Sequence, residues 1–377
     1  MEIPKRYWRN FDIPLLLTVF GLILFGTIIV YSASASRLLS AGDDPTHYVK
    51  RQALFTLIGV VGMILTLSID YRAWRRWTRM IYASNLALLV SVLFFGTAIF
   101  GSQRWFRIGP FNLQPSELAK IAIILVLARL LEKRDNIKGC KILLPFAIVA
   151  VPMLLIMAQP DMGTSMVFVG ILFSMLYLAG ANTRHLILLI SSGVVTMFLA
   201  IFVSLKEWIP IIKPYQLTRL LVFLDPYADR THSGWNIIQS MIAIGSGGFL
   251  GKGLTNGTQS QLNFLPANHT DFVFSVIAEE LGFVGAIILF SLYMVVIWRG
   301  LRIALMAKDQ FGTLLAAGCV SMFVFHLIIN VGMSLGIMPV TGLPLPFITA
   351  GGSTLLTSLL AIGILLNVGL RRNKIMF

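Results

Sequence analysis

The chain has 377 residues, of which 57% are hydrophobic and 12% are charged, with a mean hydropathy of +0.83 and a formal charge of +14 at pH 7. A soluble globular domain has about 25% charged residues, and a disordered chain combines low hydrophobicity with high net charge, so both classes are excluded. The composition predicts a polytopic membrane protein. In such a protein, positive charge is first a signal of topology rather than of nucleic-acid binding.

The predicted elements are hydrophobic runs that are bounded by charged residues. A transmembrane helix needs about 20 largely apolar residues, and the fourth of these runs is short and contains Lys120. The predicted spans are 15–33, 53–69, 80–100, 118–131, 142–157, 164–179, 186–205, 272–298, 311–335 and 353–368. We therefore expect an all-α polytopic membrane protein of about ten transmembrane helices. It forms one integral membrane domain over residues 1–377, with one long extracytoplasmic loop, 206–270, between spans 7 and 8.

The basic residues predict the orientation of the chain. Most of the 30 Lys and Arg residues fall on the side of the N-terminus, and the bias has the same sign at every pair of loops. Short cytoplasmic loops are enriched in Lys and Arg, so both termini are expected in the cytoplasm. The excess charge then orients the chain against the cytoplasmic leaflet, and no nucleic-acid partner is expected.

The 206–270 loop is too long for a passive connection, so function is sought there first. Residues 214–224 have the spacing of a short interfacial helix, which Asp225-Pro226 ends. A second helix is predicted at 235–244, followed by the glycine-rich stretch 245–253. That stretch acts either as a hinge, which we favour, or as a cradle of backbone N–H groups for phosphate.

Asp271 closes the long loop and opens the eighth span. A carboxylate is favoured at a helix N-terminus, so simple capping explains it. Alternatively, a carboxylate at the boundary of water and membrane can accept a proton as a general base or hold a divalent cation. His269, two positions earlier, offers a second polar contact, although one His and one Asp do not define a metal site.

Two acids, Glu279 and Glu280, lie inside the eighth span, where an unpaired charge is costly. Helical periodicity places Glu279 nearer than Glu280 to the face of Asp271. Glu279 is therefore a candidate contact for a substrate. The alternative is that both acids pair with polar groups of neighbouring spans.

Further polar residues lie in or beside other spans. Glu117 and Lys120 are three residues apart, which predicts an ion pair on one helix face, or a Lys that meets an anionic lipid headgroup. Asp161 lies in a very short connection and is expected to be a turn or N-cap residue. His326 and Asn330, four residues apart in the ninth span, predict interhelical hydrogen bonds.

Several motifs carry a resemblance to a known family. They are 236–266, His269-Thr-Asp-Phe through Gly282, Arg104-Trp105, Phe111-Asn-Leu-Gln-Pro-Ser-Glu-Leu-Ala-Lys120, Ala158-Gln-Pro-Asp-Met-Gly-Thr-Ser165 and Gly342-Leu-Pro-Leu-Pro-Phe-Ile-Thr-Ala-Gly-Gly-Ser353. Taken in order across all ten spans, they strongly resemble the SEDS proteins (shape, elongation, division and sporulation). The stretch 255–262 resembles the elongation branch, typified by the rod-shape-determining members, more than the division branch.

The resemblance implies a peptidoglycan glycosyltransferase that polymerises lipid II, the undecaprenyl-linked precursor, on the outer face of the bacterial cytoplasmic membrane during elongation. Asp271 matches the essential acidic residue of the family, and Glu117, Lys120 and Asp161 match positions around a central cavity. The implied partner is a class B penicillin-binding protein acting as transpeptidase. A divalent cation, Mg²⁺ or Mn²⁺, is associated with the family, although the sequence offers no recognisable cluster of metal ligands.

On this hypothesis, Asp271 takes the proton from the acceptor hydroxyl, and Arg104, Lys120 and Arg219 are candidates to neutralise the departing pyrophosphate. For Arg104 and Arg219, contact with phospholipid headgroups is the alternative. Two rival functions remain, a flippase for the lipid-linked precursor and a non-catalytic scaffold. The long outer loop ending in Asp271 favours chemistry on the outer face, and the lack of an evident inverted repeat weakly disfavours a transporter.

Overall fold

The computed structural model describes residues 10–99, 102–109, 111–133, 142–205, 214–229, 233–262 and 264–372. The first part contains helices α1 (Ile13–Ser40), α2 (His47–Ser68) and α3 (Tyr71–Phe95), strands β1 (Thr97–Ile99), β2 (Ser102–Ile108) and β3 (Phe111–Leu113), and helices α4 (Pro115–Leu131), α5 (Leu143–Ala158), α6 (Met162–Leu178) and α7 (Thr183–Leu205). The second part contains α8 (Pro214–Leu224), a 3₁₀ turn (Pro226–Ala228), α9 (Ser233–Gly247), α10 (Thr258–Gln261), α11 (Val273–Leu305), α12 (Gln310–Ser334) and α13 (Gly352–Leu370).

Each of the ten predicted spans overlaps one helix, although several of the bounds differ. Within the described residues, seven helices are long and apolar enough to cross a membrane, namely α1, α2, α3, α7, α11, α12 and α13. The other three, α4, α5 and α6, have 17, 16 and 17 residues. The described part of the chain is therefore mostly helical, with the apolar helices of a multi-pass membrane protein, and the predicted fold class is confirmed.

The end of the third predicted span was wrong. Helix α3 stops at Phe95, before Gly96, and the chain continues into a small antiparallel sheet in the order β1-β2-β3. The apolar residues 97–99, assigned to the span, pair with β2 instead, with Thr97 opposite Trp105. Aromatic and β-branched residues favour this pairing, and Gly109, with φ of 60°, lies at the end of β2. The sheet carries Arg104 and leads directly into α4.

The centre of the bundle is formed by α12 and α13. In their most apolar windows, 72% and 89% of the residues are buried, against 6% in α7. Helix α13 runs along α2, while α12 packs against α4, α6 and α11. Apolar side chains cover the exposed surface of α7, as expected for a helix that faces lipid. Buried polar residues on α12 consequently lie where several helices meet.

Helix α11 is broken at Gly282, whose φ and ψ are 64° and −156°. The freed carbonyls of Glu279 and Glu280 accept hydrogen bonds from the N–H groups of Lys252 and Gly253. The N–H groups of Phe283 and Val284 donate in turn to the carbonyls of residues 248 and 249. At 1.5 Å per residue, this break lies roughly 14 Å along α11 from its first residue. Helix α9 and the glycine-rich stretch therefore pack against a transmembrane helix rather than lying only at the surface.

The predicted helices within the long loop are confirmed at α8 and α9, and Asp225 ends α8 by accepting a hydrogen bond from the N–H of Tyr227 at 3.0 Å. The phosphate cradle considered for 245–253 is not supported. The N–H groups of residues 251, 252 and 253 are already bonded to the carbonyls of Gly247, Glu279 and Glu280.

Candidate functional site

Asp271 lies immediately before α11, in a segment that is anchored on several sides. The carbonyl of Ala267, at a φ of 54°, accepts hydrogen bonds from the N–H groups of Thr270 and Asp271 at 3.1 and 3.0 Å. Asn268 donates to the carbonyls of Ala33 and Ser260, both at 3.2 Å. The segment is thus fixed by its backbone and by Asn268, which leaves the carboxylate of Asp271 for other contacts.

Two further residues determine the surroundings of Asp271. Asn330 on α12 donates to the main-chain carbonyl of Asp271 at 2.9 Å and to that of Leu343 at 2.7 Å. Gly342 has a φ of 68°, and a Cβ atom at this position would lie 3.2 Å from Oδ2 of Asp271. The loop between α12 and α13 therefore approaches the carboxylate closely, and only glycine combines this conformation with this contact without strain.

Arg104, Arg219 and Asp161 act electrostatically on Asp271. Burial raises the pKa of the Asp271 carboxyl, and the negative charge of Asp161 raises it further. A hydrogen bond from Thr270 and the positive charges of Arg104 and Arg219 act in the opposite direction and lower this pKa. The structure thus brings four of the predicted site residues into one cluster, which we call the Asp271 cluster (Arg104, Asp161, Arg219 and Asp271). They come from β2, the start of α6, α8 and the segment before α11.

Asp161 is the N-cap of α6, as its position in the sequence predicts. Its Oδ1 accepts the N–H of Thr164 at 3.1 Å, and its Oδ2 accepts hydrogen bonds from Gln114 at 2.9 Å and Ser116 at 3.2 Å. Nη1 of Arg104 lies 3.9 Å from the same oxygen. Asp161 therefore joins α6, the start of α4 and the β-sheet at one point.

Glu117 and Lys120 form the predicted ion pair, with 2.7 Å between Lys120 Nζ and Glu117 Oε1. Both side chains are almost completely buried. Lys120 Nζ also lies 2.8 Å from Nε2 of His326. The carbonyl of Met322 lies 2.8 Å from His326 Nδ1, and because a carbonyl only accepts, Nδ1 carries the proton and Nε2 accepts from Lys120. The interhelical hydrogen bond predicted for His326 is confirmed.

His326 and Asn330 lie one turn apart on α12, so this helix connects the buried ion pair to the segment of Asp271. Two acceptors in this region, Glu117 Oε2 and Asn330 Oδ1, are buried and have no hydrogen-bond partner among the described residues. Such atoms are uncommon in native proteins. They give the centre of the bundle capacity to bind hydrogen-bond donors.

Glu279 makes a different set of contacts. It is fully buried, and Oε1 accepts hydrogen bonds from Lys252 Nζ at 2.8 Å and from the N–H of Gln259 at 2.9 Å, while Oε2 accepts the N–H of Ser260 at 3.2 Å. These partners lie in the stretch between α9 and α11. The role of Glu279 as a substrate contact stays a prediction, and its visible role is to hold this stretch.

His269 packs its ring against Tyr48, with 4.6 Å between the ring centroids. Its Nδ1 lies 3.2 Å from Oδ1 of Asn268. Burial, aided by the cation of Arg37, lowers the pKa of His269 to about 4, so the imidazole is neutral at neutral pH. Its predicted contact with a substrate would then use a neutral ring.

Sequence reasoning missed Gln114 and Ser116, and it did not connect Asn330 or Gly342 with Asp271. Gln114 and Ser116 lie within the motif that contains Glu117 and Lys120, which was the available signal for them. The contacts of Asn330 and Gly342 carry no local signal, because they join segments that are distant in sequence.

A divalent cation held by the protein alone would need several acidic, His or Cys side chains close together. Among the described residues, no group of three or more His, Cys, Asp or Glu side chains could hold a metal ion. Asp161, the acid that acts on Asp271, already accepts several hydrogen bonds. These residues therefore do not fit a metal site made by the protein alone, and the divalent cation stays a prediction.

The chain resembles known proteins over almost its whole length. The FtsW/RodA/SpoVE family model, described as cell cycle protein, matches residues 13–374. The probable peptidoglycan glycosyltransferase FtsW of Trichlorobacter lovleyi is 41% identical over 98% of this chain and 96% of its own length. The peptidoglycan glycosyltransferase MrdB of Escherichia coli is 37% identical over 98% and 97%.

Solved structures share the fold as well. A chain from work on the structural coordination of polymerization and crosslinking by a peptidoglycan synthase complex matches with a TM-score of 0.79 and 33% identity, over 95% of this chain and 97% of the other. The rod shape determining protein RodA of Thermus thermophilus matches with a TM-score of 0.70 and 29% identity, over 97% and 98%. With the family model covering nearly every described residue, this chain belongs to the FtsW/RodA/SpoVE family of cell cycle proteins.

Proposed function

We propose that the chain is a peptidoglycan glycosyltransferase that polymerises lipid II into glycan strands on the outer face of the bacterial cytoplasmic membrane, with Asp271 as general base. The observation that carries the proposal is the Asp271 cluster. In it, a carboxylate whose segment is anchored through the backbone lies in the field of two arginines. The names of the relatives support the same activity.

The proposed step is a direct displacement. Asp271 accepts the proton of the 4-hydroxyl of the acceptor sugar as that oxygen attacks the anomeric carbon of the growing chain. The bond from this carbon to the polyprenyl pyrophosphate breaks, and the pyrophosphate leaves with the bonding electrons. A single displacement inverts the anomeric centre. Burial raises the pKa of Asp271, which makes it a stronger proton acceptor than an exposed Asp.

The basic residues would stabilise the negative charge of the leaving group. Arg104 and Arg219 already act on Asp271, and a guanidinium binds phosphate oxygens with paired hydrogen bonds. Lys120 is engaged by Glu117 and His326, so it would contribute its positive charge from within the bundle. A divalent cation, if required, would be bound mainly by the pyrophosphate, and no step of this mechanism depends on it.

The orientation and partner are part of the proposal. Both termini lie in the cytoplasm, which puts Asp271 on the outer side, where a class B penicillin-binding protein would cross-link the strands. A structural neighbour comes from a peptidoglycan synthase complex that coordinates polymerization and crosslinking, which supports such a partner. The relatives include FtsW and MrdB at similar identities. Our assignment to the elongation branch therefore rests on the stretch 255–262.

The test is reconstitution of the purified protein with its transpeptidase partner, whose cross-linking is blocked, on labelled lipid II. Wild type should produce glycan strands and Asp271→Asn should produce none. The matched control is Asp44→Asn, because Asp44 is an acid of the same predicted side that pairs with the exposed Lys50. It should polymerise normally.

Two outcomes contradict the proposal. Normal polymerisation by a folded Asp271→Asn variant would remove the general-base role. If the wild type moved lipid II between leaflets of a vesicle but made no strands, the protein would be a flippase. Omitting divalent cations from the same assay tests whether polymerisation requires one.

A further inference from the structure

A group of arginines lies at the end of the bundle opposite Asp271. Arg299 and Arg302 belong to the last turns of α11, Arg372 follows α13, and Asp12 is the N-cap of α1. Burial lowers the pKa of Arg372, and the carboxylate of Asp12 raises it. The cations of Arg302 and Arg299 lower it further. The three other side chains therefore act directly on Arg372, and we call these four residues the Arg372 cluster.

The charges of the Arg372 cluster do not balance. Its single acid, Asp12, has an Oδ1 atom that accepts the N–H of Leu15 at 3.1 Å. The same oxygen lies 3.0 Å from Nε of Arg299, although the hydrogen of this Nε is not directed at it, so the two form an ion pair without a hydrogen bond. Three guanidinium groups thus share one carboxylate, which leaves two positive charges uncompensated.

Neighbouring side chains do not supply the missing negative charge. Within the described ranges, neither Arg302 nor Arg372 forms an ion pair with an acid. Nη1 of Arg372 lies 3.9 Å from Sδ of Met306, which is only a weak acceptor. The carboxylate of Asp70 pairs instead with Arg371, at 3.3 Å. The guanidinium groups of Arg302 and Arg372 therefore keep donors that an anion from outside the chain can use.

The Arg372 cluster lies at the depth of lipid headgroups. From Val273 to Trp298, α11 extends about 40 Å at 1.5 Å per residue, which is close to the thickness of a bilayer with its headgroups, about 40–45 Å. Trp298 is exposed, as is common for tryptophan at a membrane interface, and Cζ of Arg299 lies 5.7 Å from the centroid of its ring. Because Asp271 precedes this helix at one leaflet, the Arg372 cluster faces the headgroups of the other.

An exposed apolar stripe on α11 leads to the cluster. Trp298, Leu301 and Leu305 are three and four residues apart, so they share one face of the helix, and all three are exposed. Arg302 is also exposed, and it lies one turn after Trp298 and three residues before Leu305, so it borders the stripe. A lipid chain along the stripe brings its headgroup to Arg302, whereas a soluble phosphate gains nothing from these apolar side chains. The stripe therefore favours a phospholipid.

The donors define the chemistry of the headgroup. A guanidinium binds phosphate oxygens with paired, charge-assisted hydrogen bonds. Every phospholipid carries a phosphate, but only an anionic phospholipid brings a net negative charge that offsets the uncompensated arginines. Basic residues beside a membrane consequently prefer anionic lipids.

We propose that Arg302 and Arg372 bind the phosphate of an anionic phospholipid in the leaflet opposite Asp271, while Arg299, paired with Asp12, adds its positive charge. This site is separate from the Asp271 cluster. It does not depend on the proposed function.

The experiment measures lipid binding to the full chain, delipidated in a neutral detergent, by native mass spectrometry and by thermal melting. The probes are dioleoyl phosphatidylglycerol, dioleoyl phosphatidylcholine and soluble glycerol 3-phosphate. The test variant combines Arg302→Gln with Arg372→Gln. The matched control combines Arg76→Gln with Arg79→Gln, which removes the same charge from two exposed arginines in the first turns of α3.

Wild type should bind phosphatidylglycerol about 25-fold more tightly than phosphatidylcholine, about fivefold for each of the two arginines. The test variant should bind the two lipids about equally, whereas the control should keep the preference. Phosphatidylglycerol should also raise the melting temperature of wild type and control but not of the test variant. A second variant, Asp12→Asn, keeps a good N-cap residue and removes the acid of the cluster, so its preference should increase.

A test variant that keeps the preference overturns the site, and so does an equal loss of preference in test variant and control, which would show a diffuse surface charge. Glycerol 3-phosphate that competes with phosphatidylglycerol at equal concentration would show a site for a soluble phosphate instead of a lipid. An unchanged preference in Asp12→Asn would show that the Arg372 cluster is not the binding site. This last result decides the proposal even if the test variant does not fold.

Discussion

Asn330 holds Asp271 by its backbone, donating from its side-chain amide to the Asp271 carbonyl across 2.9 Å. The same amide nitrogen reaches the carbonyl of Leu343, whose neighbour Gly342 approaches the carboxylate of Asp271. The buried side-chain amide of Asn330 thus holds both the backbone of Asp271 and the loop that approaches its carboxylate. The position of the carboxylate therefore depends on the packing of α12.

Asn330→Ala should impair catalysis without touching the carboxylate. It leaves two carbonyls without their donor, and we expect a loss of about 2–4 kcal/mol in the free energy of unfolding. Polymerisation of lipid II should fall at least about tenfold, since a shift of about 1 Å in a catalytic group can cost about 100-fold. The control is Asn182→Ala, which removes one exposed hydrogen bond to the N–H of Arg184. Normal activity in Asn330→Ala would show that Asp271 needs no such anchor.

The buried pair of Glu117 and Lys120 should show strong coupling. Lys120→Met leaves an uncompensated carboxylate inside the bundle, and Glu117→Gln leaves an ammonium, so each should cost about 3–5 kcal/mol in stability. The double variant should lose much less than the sum of the two. A double-mutant cycle by denaturant unfolding measures the coupling energy. Additive losses would mean that the 2.7 Å contact contributes nothing.

The rate of polymerisation should depend on the ionisation of Asp271. A general base works ionised, so kcat/KM should fall as the pH is lowered through the raised pKa of this carboxyl. Arg104 stabilises the ionised form, and Arg104→Gln should therefore move the acidic limb of the pH profile to higher pH. Arg107→Gln, an exposed neighbour on the same strand, should leave the limb in place. If the acidic limb of Arg104→Gln stayed at the wild-type pH, Arg104 would not stabilise the ionised form of Asp271.

Asp271→Asn should keep or increase thermal stability while abolishing polymerisation. A carboxyl whose pKa is raised by folding contributes stability that is greatest below its unfolded pKa and is lost as the pH rises through the folded pKa. At neutral pH, the amide removes the cost of a buried charge. The gain in melting temperature should disappear in acid, where Asp271 is protonated. A variant that is less stable at neutral pH would mean that ionised Asp271 stabilises the fold.

The break in α11 should tolerate only glycine. At Gly282, with φ of 64°, a Cβ atom would lie 2.7 Å from the carbonyl oxygen of Phe249. Gly282→Ala should cost at least about 1–2 kcal/mol from backbone strain alone. The control is Gly245→Ala in α9, where nothing lies within 4 Å of the added Cβ. It should be neutral or stabilising by up to about 1 kcal/mol. Equal melting temperatures for the two variants would show that the break is not required.

The sequence by itself determined the helices and the contacts that depend on local spacing. All ten predicted spans overlap helices, because apolar length is a property of a continuous stretch of chain. The pair of Glu117 and Lys120 was predictable from its three-residue spacing. The cap formed by Asp161 was predictable from its place in a very short connection between two spans. The sheet after Gly96 was not predicted, because the apolar residues of its first strand have the composition of the end of a transmembrane span.

Only the tertiary structure decided which helix faces meet. Nothing in the spacing of residues brings His326 to Lys120 across 206 positions, anchors Asp271 on Asn330, or engages Glu279 with the backbone of residues 259 and 260. In a chain of nearly uniform hydrophobicity, most faces can pack on most others, and the fit of side chains and buried polar groups selects the arrangement.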